Sequence, residues 1–218
     1  MNKKLRSHLL EMARERQNKI DPSHDINHVI RVLALAEKIA KKEKADLDIV
    51  VPAACFHDII VYRKDSPESQ HETDDSAELA GELLKNLPGY PAEKIADVQT
   101  AIRQCSFSKG IVPDLLEAKV LQDADGLEGT GAIAIMRTFS SGGQMNRPFY
   151  DPEDPFCKNG DTVRHSSDME LFYRRLLVHE SRMHTETARK IAKHRTKFLY
   201  AFLRQLKKEL KESGVKTD

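Results

Sequence analysis

Ile49-Val50-Val51-Pro52-Ala53-Ala54-Cys55-Phe56-His57-Asp58-Ile59-Ile60 is the strongest apolar run of the chain, and it carries an imidazole and a carboxylate near its far end. The run is too short to cross a bilayer. Apolar on nearly every side, it reads as a buried helix over about 46–60. Burying Asp58 there is costly unless the carboxylate is paired or holds a metal.

Outward from this run the helical period continues, and no strand alternation interrupts it. Further helices are expected at about 3–18, 25–44, 71–87, 91–106, 114–139, 168–182 and 184–212. The fold class is therefore all-α. In the second helix His28, Val32, Leu35 and Ile39 share one face, which Val29, Leu33, Ala36 and Ala40 widen. Asp21-Pro22-Ser23 offers that helix a cap residue and a proline at its start. Ser167-Asp168-Met169-Glu170 resembles a capping arrangement for the seventh helix. The last helix turns polar beyond Lys207, where its end is expected to fray or project. Residues 140–167 hold Pro148, Pro152 and Pro155 with Gly142, Gly143 and Gly160, and read as a long non-helical loop. Such a length suits a lid or a partner surface, with an idle polar insertion as the alternative. There is no internal repeat.

A chain of 218 residues suffices for one buried core, so a single domain over 1–218 is expected. Its metal-binding core would cover about 20–139 and its C-terminal helices about 168–212. Charged residues at 32% beside hydrophobic ones at 39% give a soluble globular profile, and 10 Gly with 9 Pro are too few turn formers for an all-β chain. Lys+Arg of 35 against Asp+Glu of 34 leaves a net +1, hence no bulk attraction to nucleic acid or to a membrane. The first residues lack the apolar stretch and small-residue site of a secretory signal. Cys55, Cys105 and Cys157 are odd in number and unpaired in spacing, so they read as free thiols of a reducing compartment, by default the cytoplasm.

Four side chains oppose the apolar pattern around them: His28, His57, Asp58 and Asp125, the last in Ala118-Lys119-Val120-Leu121-Gln122-Asp123-Ala124-Asp125. Each has an ordinary explanation, as a satisfied core histidine, a helix-closing pair or a cap. Taken together, three helices would each need an unexplained buried polar group. Two imidazoles and two carboxylates from three helices would make a mixed nitrogen and oxygen site for one divalent ion. Fewer than six protein ligands leave room for water and substrate.

The order of these residues, with HDINHVIRV around His28, AACFHDI around His57-Asp58 and LQDADGLEGTGAIAIMRTF around Asp125, resembles the HD superfamily of metal-dependent phosphohydrolases. With HTETARKIAKHRTKFLYAFL further on, it is similar to a bacterial subset related to YpgQ and YedJ, over roughly residues 20–206. The resemblance implies an HD-domain helical bundle in which His28, His57, Asp58 and Asp125 ligate one divalent metal (Mn, Co, Ni, Fe, Zn or Mg). Asp123 is the rival for the last place, and Ala124-Asp125-Gly126-Leu127 matches the family's pattern better. Gly126 stands where an Arg is common among relatives, which bears on a contact behind the ligands, and Cys105 stands where a His is expected, which bears on substrate handling if that His helps bind phosphate or water.

The activity implied is hydrolysis of a phosphate ester or anhydride, most plausibly a nucleotide, by a pyrophosphohydrolase or nucleotidase reaction. Asp58 would orient the attacking water as well as hold metal, and Glu72 is the candidate acid or base, against a first-turn helix charge as its plain reading. Arg31, Arg63, Lys64 and His71 are the candidate phosphate contacts, with Arg103 and Arg195 behind them, and solvated surface charge as the alternative for all. The partner is a small phosphorylated molecule, with self-association open. Two rival functions remain, a non-catalytic metal-bound module and a diiron HD-type oxygenase. The second is poorly supplied, since His71 is the only histidine between Asp58 and Asp125.

Overall fold

The computed structural model describes residues 1–16, 24–62, 66–158 and 167–217. These contain nine α-helices and no β-strand, and no helix among them is long and apolar enough to cross a membrane. The chain divides into two compact units, Met1–Asp125 and Gly126–Asp218.

The first unit is built around α3 (Leu47–Phe56), whose residues from Ile49 to Phe56 are all buried. Against it pack α1 (Lys3–Glu15), α2 (Ile26–Glu43), α4 (Glu72–Lys85) and α5 (Ile95–Arg103). A helix covered on so many sides has no polar face to spare, which is why its sequence is almost uninterruptedly apolar. Asp21-Pro22-Ser23 lies outside the described residues; α2 is capped by Asp25, which accepts the His28 N–H at 2.9 Å. Pro52 sits inside α3 and has no N–H to give the carbonyl one turn earlier. Tyr90 makes good that loss: its hydroxyl donates to the Asp48 carbonyl at 2.7 Å. Burial, with Asp48 and Asp46 nearby, keeps the phenol protonated. The last helix of the unit, α6 (Leu116–Gly126), buries Gln122, whose amide donates to the carbonyls of Gln104 at 2.8 Å and Ile111 at 3.1 Å.

The second unit holds α7 (Gly131–Gln144), α8 (Asp168–Arg174) and α9 (Glu186–Glu212). Phe172 lies at its centre, stacked on Phe202 at 5.5 Å and tilted against Phe139 at 6.1 Å. Several expectations are corrected here. The single helix over about 114–139 is two helices, separated by a 3-10 turn at Leu127–Gly129 and by Gly131 at φ 71°. The break is held by Arg195, whose guanidinium donates to the Leu127 carbonyl at 2.8 Å. Residues 140–144 belong to α7, not to the loop, although two of them are glycines. Gly142 is needed there because a Cβ would run into the Asp168 carboxylate. The helix expected over 168–182 stops at Arg174 and continues as a 3-10 turn, Leu176–Arg182. Ser167 makes no side-chain cap bond; instead the N–H groups of Asp168 and Met169 donate to Pro148 and Phe149, both at 3.0 Å. The end of α9 does not fray, since Leu210 is buried and Val215 packs on the same cluster.

Two expected outcomes follow from these contacts. Tyr90→Phe leaves the Asp48 carbonyl without its donor and should lower stability by about 1–2 kcal/mol, read by urea unfolding; an unchanged midpoint would mean that water replaces the phenol. Asp168 is buried, and among the described residues no hydrogen bond reaches either carboxylate oxygen. Burial pushes its pKa up to about 6, with the charge of Arg147 pulling weakly the other way. The folded state therefore holds this proton more tightly than the unfolded chain, and the stability it gives is lost as pH rises from about 4 to about 6. Asp168→Asn should be more stable than wild type at pH 7.5 and lack that decline, and a variant weaker than wild type at pH 7.5 would refute this.

Candidate metal centre

The centre lies within the first unit. His28 comes from the first turn of α2, just past its Asp25 cap, and is fully buried. His57 follows the last turn of α3 and is 2% exposed. Asp58 comes next, where the chain leaves the helix, and Asp125 stands near the end of α6. The two imidazoles meet Nε2 to Nε2 at 3.2 Å. Asp58 Oδ2 lies 3.3 Å from His28 Nε2 and 3.4 Å from His57 Nε2, and Asp125 Oδ1 lies 3.6 Å from His28 Nε2. Donor atoms of His28, His57 and Asp125 all fall within 4.8 Å of one another. Asp125 thus lies with the two histidines, and Asp123 is buried two residues before it.

The local geometry orients these groups. His57 Nδ1 is 2.9 Å from the Ala54 carbonyl, so that nitrogen carries the proton and Nε2 presents its lone pair to the cluster. This is the tautomer a metal needs, and a backbone carbonyl behind the ring is the usual support of a ligating histidine. Burial acts to raise the Asp58 pKa; the electrostatic influence of the His57 ring, the hydrogen bond from His28 and the His24 and His28 rings outweigh it and hold the carboxyl below its ordinary range. Buried imidazole nitrogen together with carboxylate oxygen suits Mn, Fe, Co, Ni or Zn better than a hard cation that prefers oxygen alone. The residues present therefore fit a divalent metal.

The remaining expected residues fall in different places. Glu72 opens α4 and accepts the Tyr62 N–H at 2.7 Å, which ties it to the segment leaving Asp58. His71 is exposed, at the end of the 3-10 turn Pro67–His71. Arg31 is half-buried on α2, and its charge helps to hold the Asp25 carboxyl low after burial and the His28 N–H have acted. Arg63 and Lys64 lie outside the described residues. Arg103 pairs loosely with Asp74 at 3.8 Å. Arg195 belongs to the second unit, where burial lowers its pKa and its guanidinium serves the Leu127 carbonyl.

Cys105 is buried, and its thiol pKa is raised first by burial and then by the charges of Asp125 and Asp58. One neighbour escaped the sequence reading. His24 sets its ring edge-on to His28 at 5.4 Å and adds to the field on Asp58. The spacing of four from His28 on a helical start was its only signal.

Known proteins resemble this chain in sequence and in fold. A family model described as the HD domain matches residues 25–130. The uncharacterised protein YpgQ of Bacillus subtilis (strain 168) is 34% identical over 191 residues, which cover 86% of this chain and 84% of YpgQ. The crystal structure of B. subtilis YpgQ in complex with ADP superposes with a TM-score of 0.71 at 28% identity, covering 94% of this chain and 95% of that one. An HD-superfamily hydrolase from Bacillus thuringiensis superposes with a TM-score of 0.70 at 26% identity, covering 95% and 97%.

Proposed function

This chain belongs to the HD domain family of metal-dependent phosphohydrolases, and we propose that it hydrolyses a nucleotide at a phosphoanhydride or phosphate ester bond, with residues 1–218 acting as one HD domain. The observation that carries the proposal is the convergence of His28, His57, Asp58 and Asp125, with nitrogen to oxygen distances of 3.3–3.6 Å around two buried imidazoles. The nucleotide is argued from YpgQ, which was crystallised in complex with ADP. One divalent ion held by these four side chains, when bound, supplies a Lewis acid for the phosphoryl oxygen and lowers the pKa of water.

The protein's own groups then carry defined tasks. Asp58 orients the attacking water, since its Oδ2 already lies within reach of both imidazoles. His57 keeps its proton on Nδ1, toward Ala54, throughout. Glu72 is the proposed partner for proton transfer at the leaving oxygen, fixed by the Tyr62 N–H. His71 and Arg31 are proposed phosphate contacts, and Arg63 and Lys64 continue that set in sequence.

The test is release of phosphate and pyrophosphate from a nucleotide panel with Mn²⁺, Co²⁺, Ni²⁺, Zn²⁺ or Mg²⁺. Turnover with at least one pairing is expected; silence throughout, in protein with metal bound, would point to a non-catalytic module. Asp58→Ala should reduce kcat/KM at least about 100-fold and shrink the Mn²⁺-induced rise in Tm. Without metal it should melt at or below the wild-type temperature, because the carboxylate that the histidines hold in its charged form is gone. A variant that keeps both its turnover and its Mn²⁺ shift would sink the proposed site.

A further inference from the structure

The net +1 of the whole chain averages two unlike parts. Residues 1–125 carry Lys+Arg of 18 against Asp+Glu of 22, and residues 126–218 carry 17 against 12. Nine of those 17 cations lie on α9, which has three acids. Lys193, Lys197, Tyr200, Arg204, Lys207 and Lys211 are spaced alternately four and three apart along it. At 3.6 residues per turn they fall within an arc of about 80°. All six are exposed, and Tyr200 keeps 49% of its surface. Leu199, Leu203 and Leu210, on another side of the helix, are buried in the core of the second unit.

This row is not spent on ion pairs. Among the described residues those of α9 are confined to its first turn, where Glu186 meets Arg189 at 3.1 Å and Lys190 at 3.3 Å. Glu209 lies off the arc and accepts the Gln205 amide at 2.7 Å. Like charges three or four residues apart on a helix repel one another, and a polyanion laid along the row would relieve that repulsion. From Lys193 to Lys211 the row runs about 27 Å, which suits regularly repeated charge better than a single phosphate. A bilayer is a poor match: among the described residues of α9 only Phe198 and Tyr200 are large, apolar and exposed, because the leucines face the core. Tyr200 stands in the middle of the row, where its ring offers a face on which a base can stack. Only unpaired strands offer such bases, since those of a duplex are already stacked on one another.

We propose that this face of α9 binds the backbone of single-stranded nucleic acid without reading its sequence, with Lys193, Lys197, Arg204, Lys207 and Lys211 on phosphates and Tyr200 stacked on a base. The proposal is independent of the phosphohydrolase reading, because none of these residues belongs to the metal centre.

The experiment follows the anisotropy of a fluorescein-labelled oligo(dT) of about 15 nucleotides with the full chain, between about 50 and about 200 mM KCl. Wild type should bind, with log K falling against log salt at a slope of about −3.5, for five phosphate contacts on a single strand. The double variants Lys193→Gln with Lys197→Gln, and Arg204→Gln with Lys207→Gln, should each weaken binding at least about tenfold and flatten that slope by about 1.4. Both replace exposed side chains, and if one fails to fold the other still decides. Tyr200→Ala should weaken binding at least about fivefold and keep the slope. No binding by wild type at the lowest salt would overturn the proposal, and so would wild-type affinity and slope in a folded double variant. Wild-type affinity in Tyr200→Ala, or equal affinity for a duplex of the same length, would remove the single strand as the occupant and overturn it too. Tighter binding to poly-glutamate or to phosphatidylserine vesicles than to the oligonucleotide would instead assign the face to an acidic protein or a membrane.

Discussion

Two imidazole nitrogens 3.2 Å apart, each on a ring almost without access to water, impose a demand that much of the first unit meets. At that distance they cannot both be protonated without strong repulsion. His57 is settled by the Ala54 carbonyl, which takes its proton on the far side of the ring. To bring the rings together, α2 must lie along α3, and the chain must turn out of α3 just where His57 ends it. The carboxylates of Asp58 and Asp125 close on the same nitrogens. Such a group of donors, rich in lone pairs and short of protons, is balanced by a cation, which is what HD domains bind.

The helix that carries His57 is itself irregular, and its neighbours compensate. Pro52 removes one hydrogen bond from inside α3, and Tyr90 restores the partner from outside. Past the helix end, α4 receives the backbone through Ser76 and Glu72, with the Tyr62 hydroxyl on Asp75. The first two contacts satisfy backbone N–H groups of the segment that leaves α3. The same contacts fix the first turn of α4 against the segment that follows Asp58.

The all-α class was legible because the apolar residues recur with the helical period almost everywhere. His28 and Asp58 stood out because each breaks that period on a face otherwise apolar. The break between α6 and α7 was not legible, since Leu121, Ala124, Leu127 and Ala134 continue the pattern on both sides of it. What interrupts the helix is a left-handed glycine and an arginine distant in sequence. Arg195 looked like a free cation for the same reason. His24 was not singled out, because beyond its spacing from His28 its place depends on the ring contact that only the folded chain makes.

The bond from Arg195 to Leu127 spans 68 residues of chain. A ribosome delivers the two partners in that order, so while α7 and α8 emerge the Leu127 carbonyl has only its local donors, the Thr130 N–H at 3.1 Å and the Thr130 hydroxyl at 2.6 Å. These close the turn, and Arg195 then ties it to α9. That tie is consequently among the last contacts of the second unit to form. A nascent chain released before Arg195 would carry the four-residue cluster complete in sequence, with the turn behind it closed but not yet joined to the last helix.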